Sequence, residues 1–210
     1  MKEIIFWGAT GQAIVLHDFI ERSGYRLVAL FDKNKELNSP FQNIPLLHSE
    51  EFDSWISARE NKIHFAIAIG GSNGMDKMSI HKMLVEKGLL PATLIHDSAF
   101  VSGEAEVGDG CQVLAQATVI ARAKLGRSCI VNTSASIDHE CVLGDAVHVA
   151  PGARIAGCVE IGSYSFIGTG AVVLPRIKIG ENVIIGAGAV VTKNISSGKV
   201  AYGNPAKVKR

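Results

Sequence analysis

The 210-residue chain carries 21 basic and 20 acidic side chains, a formal charge of +1, 47% hydrophobic residues and only 6% aromatic ones. Lys and Arg are scattered outside the last dozen residues, which excludes the electrostatic footprint of a nucleic-acid binder. No apolar run approaches the roughly 18–20 residues of a membrane span, and Ile4 to Trp7 before Gly8 is too short for a signal peptide, so a cytoplasmic protein without membrane insertion is expected.

The first 94 residues read as alternating strands and helices. Lys2 to Trp7 predicts a short buried strand, Gly8-Ala9-Thr10-Gly11 a turn, and Gln12 to Ser23 a helix with Ile14, Leu16, Phe19 and Ile20 on or near one side. Tyr25 to Phe31 predicts a second strand ending at Asp32, His64 to Ile69 a third closed by Gly70-Gly71, and Met75 to Lys87 a further helix. Strand, glycine turn, helix, strand, acid is the order of a small Rossmann-like βαβ unit. The turn is GxxG and not the full GxGxxG, so two readings stand side by side. It is a tight turn with no ligand, or its backbone N–H groups around Thr10 to Gln12 meet a ligand while Asp32 accepts from a ribose or base. A unit this small suits a nucleotide-sugar better than a dinucleotide.

From Ile95 to Val191 every sixth residue is aliphatic, and a second column four residues later, from Ala99 to Ile195, is small or apolar throughout. Two in-phase columns of period six exclude a helix of period 3.6. Gly108, Gly126, Gly144, Gly162 and Gly180 recur at three times that period, as do Gly168 and Gly186, so that one coil consists of three short strands. The expected architecture is a prism with parallel sheets for faces, an aliphatic interior, small residues inside the corners, and glycine where positive φ is needed. Cys111, Cys129 and Cys141 fall in the small inward column and read as packing residues, Cys158 does not, and no CxxC pair exists, so all four are expected as reduced thiols. The expected domains are 1–94 and 95–210.

Among seven histidines, His139 stands apart by its phase. It lies between the two inward columns near a corner, with Asp138 and Glu140 on either side. An imidazole oriented by a carboxylate is a competent general base near neutral pH. His148 is also off both columns, about half a coil away, and meets the same cleft only across a subunit boundary or an adjacent face. Lys199, Lys207, Lys209 and Arg210 form a basic tail, suited to CoA phosphates or to solvent.

The stretch Asn132-Thr-Ser-Ala-Ser-Ile-Asp-His-Glu-Cys-Val-Leu-Gly144 followed by His148, with Gly8-Ala-Thr-Gly11 at the start and Gly203-Asn-Pro-Ala-Lys207 at the end, resembles the nucleotide-sugar acetyltransferases of the sialic acid O-acetyltransferase group. That group includes the N-acetyltransferases of bacillosamine synthesis and the GDP-perosamine N-acetyltransferases. The resemblance implies a left-handed parallel β-helix behind an α/β Rossmann-like domain, a homotrimer with active sites at subunit interfaces, and acetyl-CoA as co-substrate with no metal. It implies acetylation of the 4-amino group of a nucleotide-linked 4-amino-4,6-dideoxy sugar, UDP-linked in first place and GDP-perosamine in second. His139 would be the base and Glu140 would raise its basicity. His148 would contact the thioester region, and Thr169 and Ala187 would bind the pantetheine arm. Thr10, Gly11, Gln12, Asp32, Lys33 and Gly70 would surround the nucleotide; the family's usual His is replaced here by Gln12. The alternatives are an O-acetyltransferase acting on sialic acid or a related sugar, a zinc hydratase on the same coil, for which no third histidine follows His148, and a non-catalytic scaffold.

Overall fold

The computed structural model describes residues 1–209. The chain divides into two compact units, one formed by Met1–Gly70 and Ser79–Ala92, the other by Gly71–Met78 and everything from Thr93 onward.

The first unit is a five-stranded parallel sheet. Its strands are β1 (Lys2–Trp7), β2 (Tyr25–Asp32), β3 (Leu46–His48), β4 (His64–Ile67) and β5 (Leu90–Pro91), in spatial order β3-β2-β1-β4-β5. The order reverses beside β1, so the β1/β4 boundary is the topological switch point at which ligands bind in open α/β sheets. Ile4, Ile5 and Phe6 are fully buried, as a strand covered on both faces requires. Trp7 stacks on Phe31 with centroids 5.6 Å apart, and Phe52 meets both edge-on.

Several expectations change here. Helix α1 covers only Gly11–His17 and the chain then continues as turns to Gly24. Its buried residues are Ala13 and Leu16, whereas Ile14 is 55% exposed, because the inward face runs through 13, 16 and 20 and position 14 is rotated away from it. Strand β4 ends at Ile67, two residues early, and helix α3 covers Gly74–Glu86. β3, β5 and the helix α2 (Phe52–Ser57) add elements the sequence pattern did not indicate.

In the second unit every hexapeptide supplies a two-residue strand, and the strands stack into three parallel sheets. Equivalent residues of successive coils pair directly: Thr118 with Ser136, Lys124 with Val142, Ile130 with His148. Both sequence columns line the interior. Val113 to Val191 in the first and Cys111 to Ala189 in the second are buried almost completely. Ile95, the first residue of its column, is 39% exposed because no rung precedes it. Cys111, Cys129, Cys141 and Ser165 donate to the carbonyl oxygens of Gly126, Gly144, Ala156 and Gly180, so the polar atoms inside the corners are satisfied.

Gly110, Gly152, Gly170 and Gly188 take the positive φ expected of glycine, but the once-per-coil glycines serve a different purpose. Every sixth residue from Gly110 to Gly188 has positive φ, and most are not glycine: Gln116, Arg122, Ser128, Ser134, Glu140, Ala146, Cys158, Tyr164, Arg176 and Asn182. A left-handed residue costs roughly 1–2 kcal/mol. From Ser128 onward its N–H donates to a carbonyl of the preceding coil, as Glu140 does to Ala121 at 3.1 Å and Cys158 to His139 at 2.9 Å. The glycines that recur once per coil from Gly108 to Gly180 have ordinary φ. A Cβ at Gly126 would lie 2.7 Å from the Gly144 carbonyl carbon and the Asp145 nitrogen of the next coil. They are glycine because coils pass too closely there for any side chain.

Candidate active site

Two strands of the coil, Ser136–Ile137 and Val142–Leu143, flank the corner that carries His139. Asp138 Oδ1 accepts from the His139 backbone N–H at 2.8 Å, so this carboxylate shapes the corner. Glu140 takes the ring: its Oε2 lies 3.2 Å from His139 Nδ1. Carboxylate oxygen only accepts, so Nδ1 holds the proton and Nε2 presents its lone pair. Both side chains remain about half exposed.

Residue 157 stands one coil above residue 139, and it is glycine. A Cβ there would overlap the His139 ring, 2.6 Å from Cε1 and nearer still to Nε2. The imidazole therefore lies against bare backbone. Cys158 stacks on Glu140 of the preceding coil, with Sγ 3.9 Å from Oε2. A hollow lined by Ile120, Asp138, Arg154, Ala156 and Leu174 opens beside the same corner. Periodicity alone points to Gly157 and Cys158, because advancing His139 and Glu140 by one coil names both.

His148 lies on a different face, paired in the strand ladder with Ile130. It is 5% exposed. Nδ1 donates to the Gly71 carbonyl at 3.2 Å, which leaves Nε2 to accept from Asn132 Nδ2 at 3.1 Å. Asn132 Oδ1 accepts from the Thr133 N–H at 2.8 Å, so the amide is held from both ends. Burial first, and then the positive charge of Lys77, pushes the His148 pKa down to about 4, against a small opposing effect of the bond to Gly71. The ring is neutral at physiological pH. Lys77 is itself buried, its Nζ has no hydrogen-bond acceptor among the described residues, and burial lowers its pKa to about 8.

Thr169 and Ala187 are exposed at equivalent positions of successive coils, at a corner where the Gly188 N–H donates to the Thr169 carbonyl at 2.8 Å. Lys207 lies in a terminal strand, Lys207–Val208, that pairs antiparallel with Val200–Tyr202, and Lys209 Nζ stands 5.5 Å from the Tyr202 ring centroid. Arg210 lies outside the described residues.

In the first unit, Gly8 has φ +112, and a Cβ there would run into the backbone of Ala68, the residue following β4. The turn therefore sits at the switch point. Thr10 caps α1 without a side-chain bond, and Thr10 and Gly11 are exposed, with open space where a Gly11 Cβ would stand. Asp32 Oδ2 accepts from the Ala9 N–H at 3.1 Å and Oδ1 from the Asn34 N–H at 3.0 Å. Its carboxylate therefore braces the turn and keeps one lone pair on each oxygen. Lys33 is exposed and its carbonyl meets His48 Nε2 at 3.0 Å. Gln12 and Gly70 are half-buried.

A parallel hexapeptide coil bearing a half-exposed, carboxylate-oriented imidazole, joined to a Rossmann-like unit, defines a CoA-dependent acyltransferase class. Residues 3–82 match the family model described as the PglD N-terminal domain, and residues 158–193 match that of the bacterial transferase hexapeptide (six repeats). The acetyltransferase domain of PglB from Neisseria gonorrhoeae, solved with acetyl coenzyme A, is 30% identical, with 99% of each chain covered and a TM-score of 0.88. A mutant of perosamine N-acetyltransferase from Caulobacter crescentus, in complex with CoA and GDP-perosamine, is 28% identical over 100% of this chain and 98% of that one, with a TM-score of 0.92. WeeI from Acinetobacter baumannii is 25% identical over the full length of both, with a TM-score of 0.89. No curated protein sequence matches the chain. The chain belongs to the hexapeptide-repeat sugar acetyltransferases with a PglD-type N-terminal domain, and its coil is the left-handed β-helix of that family.

Proposed function

We propose that the protein is an acetyl-CoA-dependent N-acetyltransferase that modifies the 4-amino group of a nucleotide-linked 4-amino-4,6-dideoxy sugar. The observation that carries this reading is the His139–Glu140 pair, which leaves Nε2 of a half-exposed ring as the proton acceptor on a coil shared with sugar N-acetyltransferases. The amine attacks the thioester carbonyl, Nε2 takes the ammonium proton, and the tetrahedral intermediate expels the CoA thiolate, which is protonated on leaving. No covalent enzyme intermediate is needed, so positioning and one base suffice. The Glu140 carboxylate stabilises the imidazolium formed in that step.

The remaining assignments follow the same reading. Thr10, Gly11, Gln12, Asp32, Lys33 and Gly70 surround the nucleotide at the switch point of the first unit. Thr169 and Ala187 hold the pantetheine arm by backbone contacts. The buried His148 ring serves the thioester region through Asn132, whose second amide hydrogen is left over. His139 and Asn132 stand on different corners of one coil, so a reactant meeting both calls for two copies of the chain. That requirement supports a homotrimer with sites at subunit boundaries, as do the outward Phe100 at 57% and Val142 at 46% exposure. No helix among the described residues is long and apolar enough to cross a membrane. We assign the protein to the cytoplasm, where acetyl-CoA and nucleotide-sugars are available.

The test is CoA release followed with a thiol reagent, using acetyl-CoA and 4-amino-4,6-dideoxy sugars on UDP, GDP and dTDP, with sialic acid as a hydroxyl acceptor. Turnover on one amino sugar supports the reading and identifies the carrier. Turnover on sialic acid alone moves the protein to O-acetylation, and silence on every acceptor overturns the transferase reading.

A further inference from the structure

Cys158 is a free thiol outside the inward column, half-exposed, and no step above uses it. It shares its corner with the two groups that form the base. A ring nitrogen of His139, a Glu140 carboxylate oxygen and Cys158 Sγ all lie within 4.8 Å of one another. One imidazole nitrogen, one carboxylate and one thiol form a three-ligand set with an open side.

The spacing fits a tetrahedral ion. With Zn–N and Zn–O near ~2.0–2.1 Å and Zn–S near ~2.3 Å, tetrahedral angles require N···O of about 3.3 Å and S···O or S···N of about 3.6 Å. The observed Nδ1···Oε2 and Sγ···Oε2 distances are 3.2 Å and 3.9 Å. All three side chains are at least partly exposed, so the remaining closure takes only side-chain rotation. The mixed N/O/S donor set favours a borderline-soft cation and disfavours Mg²⁺ or Ca²⁺, which take oxygen ligands.

We propose that His139, Glu140 and Cys158 form an inhibitory site for Zn²⁺ and similar borderline-soft divalent cations. Coordination at Nδ1 uses the lone pair that the tautomer found here does not offer. The ring proton therefore moves to Nε2, and the thiol proton goes to solvent as the sulfur binds as thiolate. One proton is released per ion bound. Nε2 becomes an N–H and no longer accepts the amine proton, while the Glu140 carboxylate is withdrawn to the metal. The same corner that makes His139 a base thus lets zinc switch it off.

The diagnostic variant is Cys158→Ser. Ser128 and Ser134 occupy the equivalent left-handed position of other corners at φ 53 and 55, so the coil accommodates serine there. Thiolate coordination is read from the charge-transfer absorbance of added Co²⁺, affinity from Zn²⁺ calorimetry, and inhibition from transfer rates in zinc-buffered solution, with Mg²⁺ as control. The binding measurements stand whatever the reaction; the inhibition measurement rests on the transferase reading. The expected result is one Zn²⁺ per chain, a Co²⁺–thiolate band in the wild type, and inhibition reversed by a chelator. In Cys158→Ser the band is lost and affinity and inhibitory potency fall at least about tenfold, with the zinc-free rate unchanged. No thiolate band, or zinc affinity and inhibition equal in the variant, would overturn the site. Binding with the expected signature but no transferase activity on any acceptor would leave the metal site standing and remove its inhibitory role along with the proposed reaction.

Discussion

Gly157 is the surface on which the His139 imidazole rests: the ring lies where the side chain of any other residue at 157 would be. Gly157 is not among the residues with positive φ, so its backbone tolerates alanine and only the ring objects. Gly157→Ala is expected to displace Nε2 and lower kcat by about 10–100-fold, because misplacement of a reacting group by about 1 Å costs that much. The melting temperature and acetyl-CoA affinity should hardly change. Steady-state kinetics beside calorimetry check this, and an unaltered kcat would show that the ring position does not matter.

The buried pair of His148 and Lys77 predicts how stability depends on pH. Folded His148 stays neutral down to about 4, whereas an unfolded histidine protonates near ~6.5. The unfolded state binds the extra proton in between, so stability falls as pH drops from about 6.5 to about 4, by roughly 3 kcal/mol for this group. His64, also shifted down by burial, acts in the same direction. Folded Lys77 loses its proton near 8 and an unfolded lysine near ~10.4, so stability rises again as pH increases between those values. Urea unfolding from pH 4 to 10 should show both limbs. His148→Gln should flatten the acid limb, and Lys77→Met should flatten the alkaline limb and raise stability at pH 7, since it removes a buried charge without an acceptor.

The coil contains two kinds of glycine, and substitution separates them. Gly126→Ala drives a Cβ into the next coil's backbone and is expected to cost about 1–3 kcal/mol or more through overpacking. Gly152→Ala meets no atom within 4 Å and only takes a φ of +67, the conformation Ala146 already holds at 55 one corner earlier. Its cost should stay near about 1 kcal/mol. Melting temperatures of the two variants decide the matter, and equal losses would contradict the close-approach reading of the once-per-coil glycines.

Asp32 holds the Gly8–Gly11 turn through the Ala9 N–H while keeping acceptor capacity for a ligand. Asp32→Ala should weaken nucleotide-sugar binding about tenfold, the loss of one hydrogen bond to a charged group, and leave acetyl-CoA affinity unchanged. Calorimetry showing the opposite pattern would reverse the division of ligands between the two units.

Much of this was legible before the fold was known. The period-six columns placed Val113 to Val191 in the interior because a coil of fixed rise repeats one environment at one phase. His139 and Glu140 were legible from their position between the columns. The role of the once-per-coil glycines is not legible, because their spacing says that coils stack and not how closely they pass. The Leu46–His48 and Leu90–Pro91 strands escaped because such short segments carry no period. His148, off both columns, reads as an outward residue. What buries it is a contact with Gly71, far away in the chain, and no local pattern encodes such a partner.

In the proposed reaction His139 Nε2 takes the proton from the attacking amine. The most direct test of this step is the rate of CoA release by His139→Ala on the preferred amino sugar at saturating substrates, with acetyl-CoA binding and melting measured alongside. Loss of the base should lower kcat by about 10²–10⁴-fold, with a smaller loss for Glu140→Gln, whose amide oxygen still accepts from Nδ1 but lacks the charge, and unchanged binding and melting in both. A His139→Ala enzyme that turns over within a few-fold of wild type would contradict the proposed step.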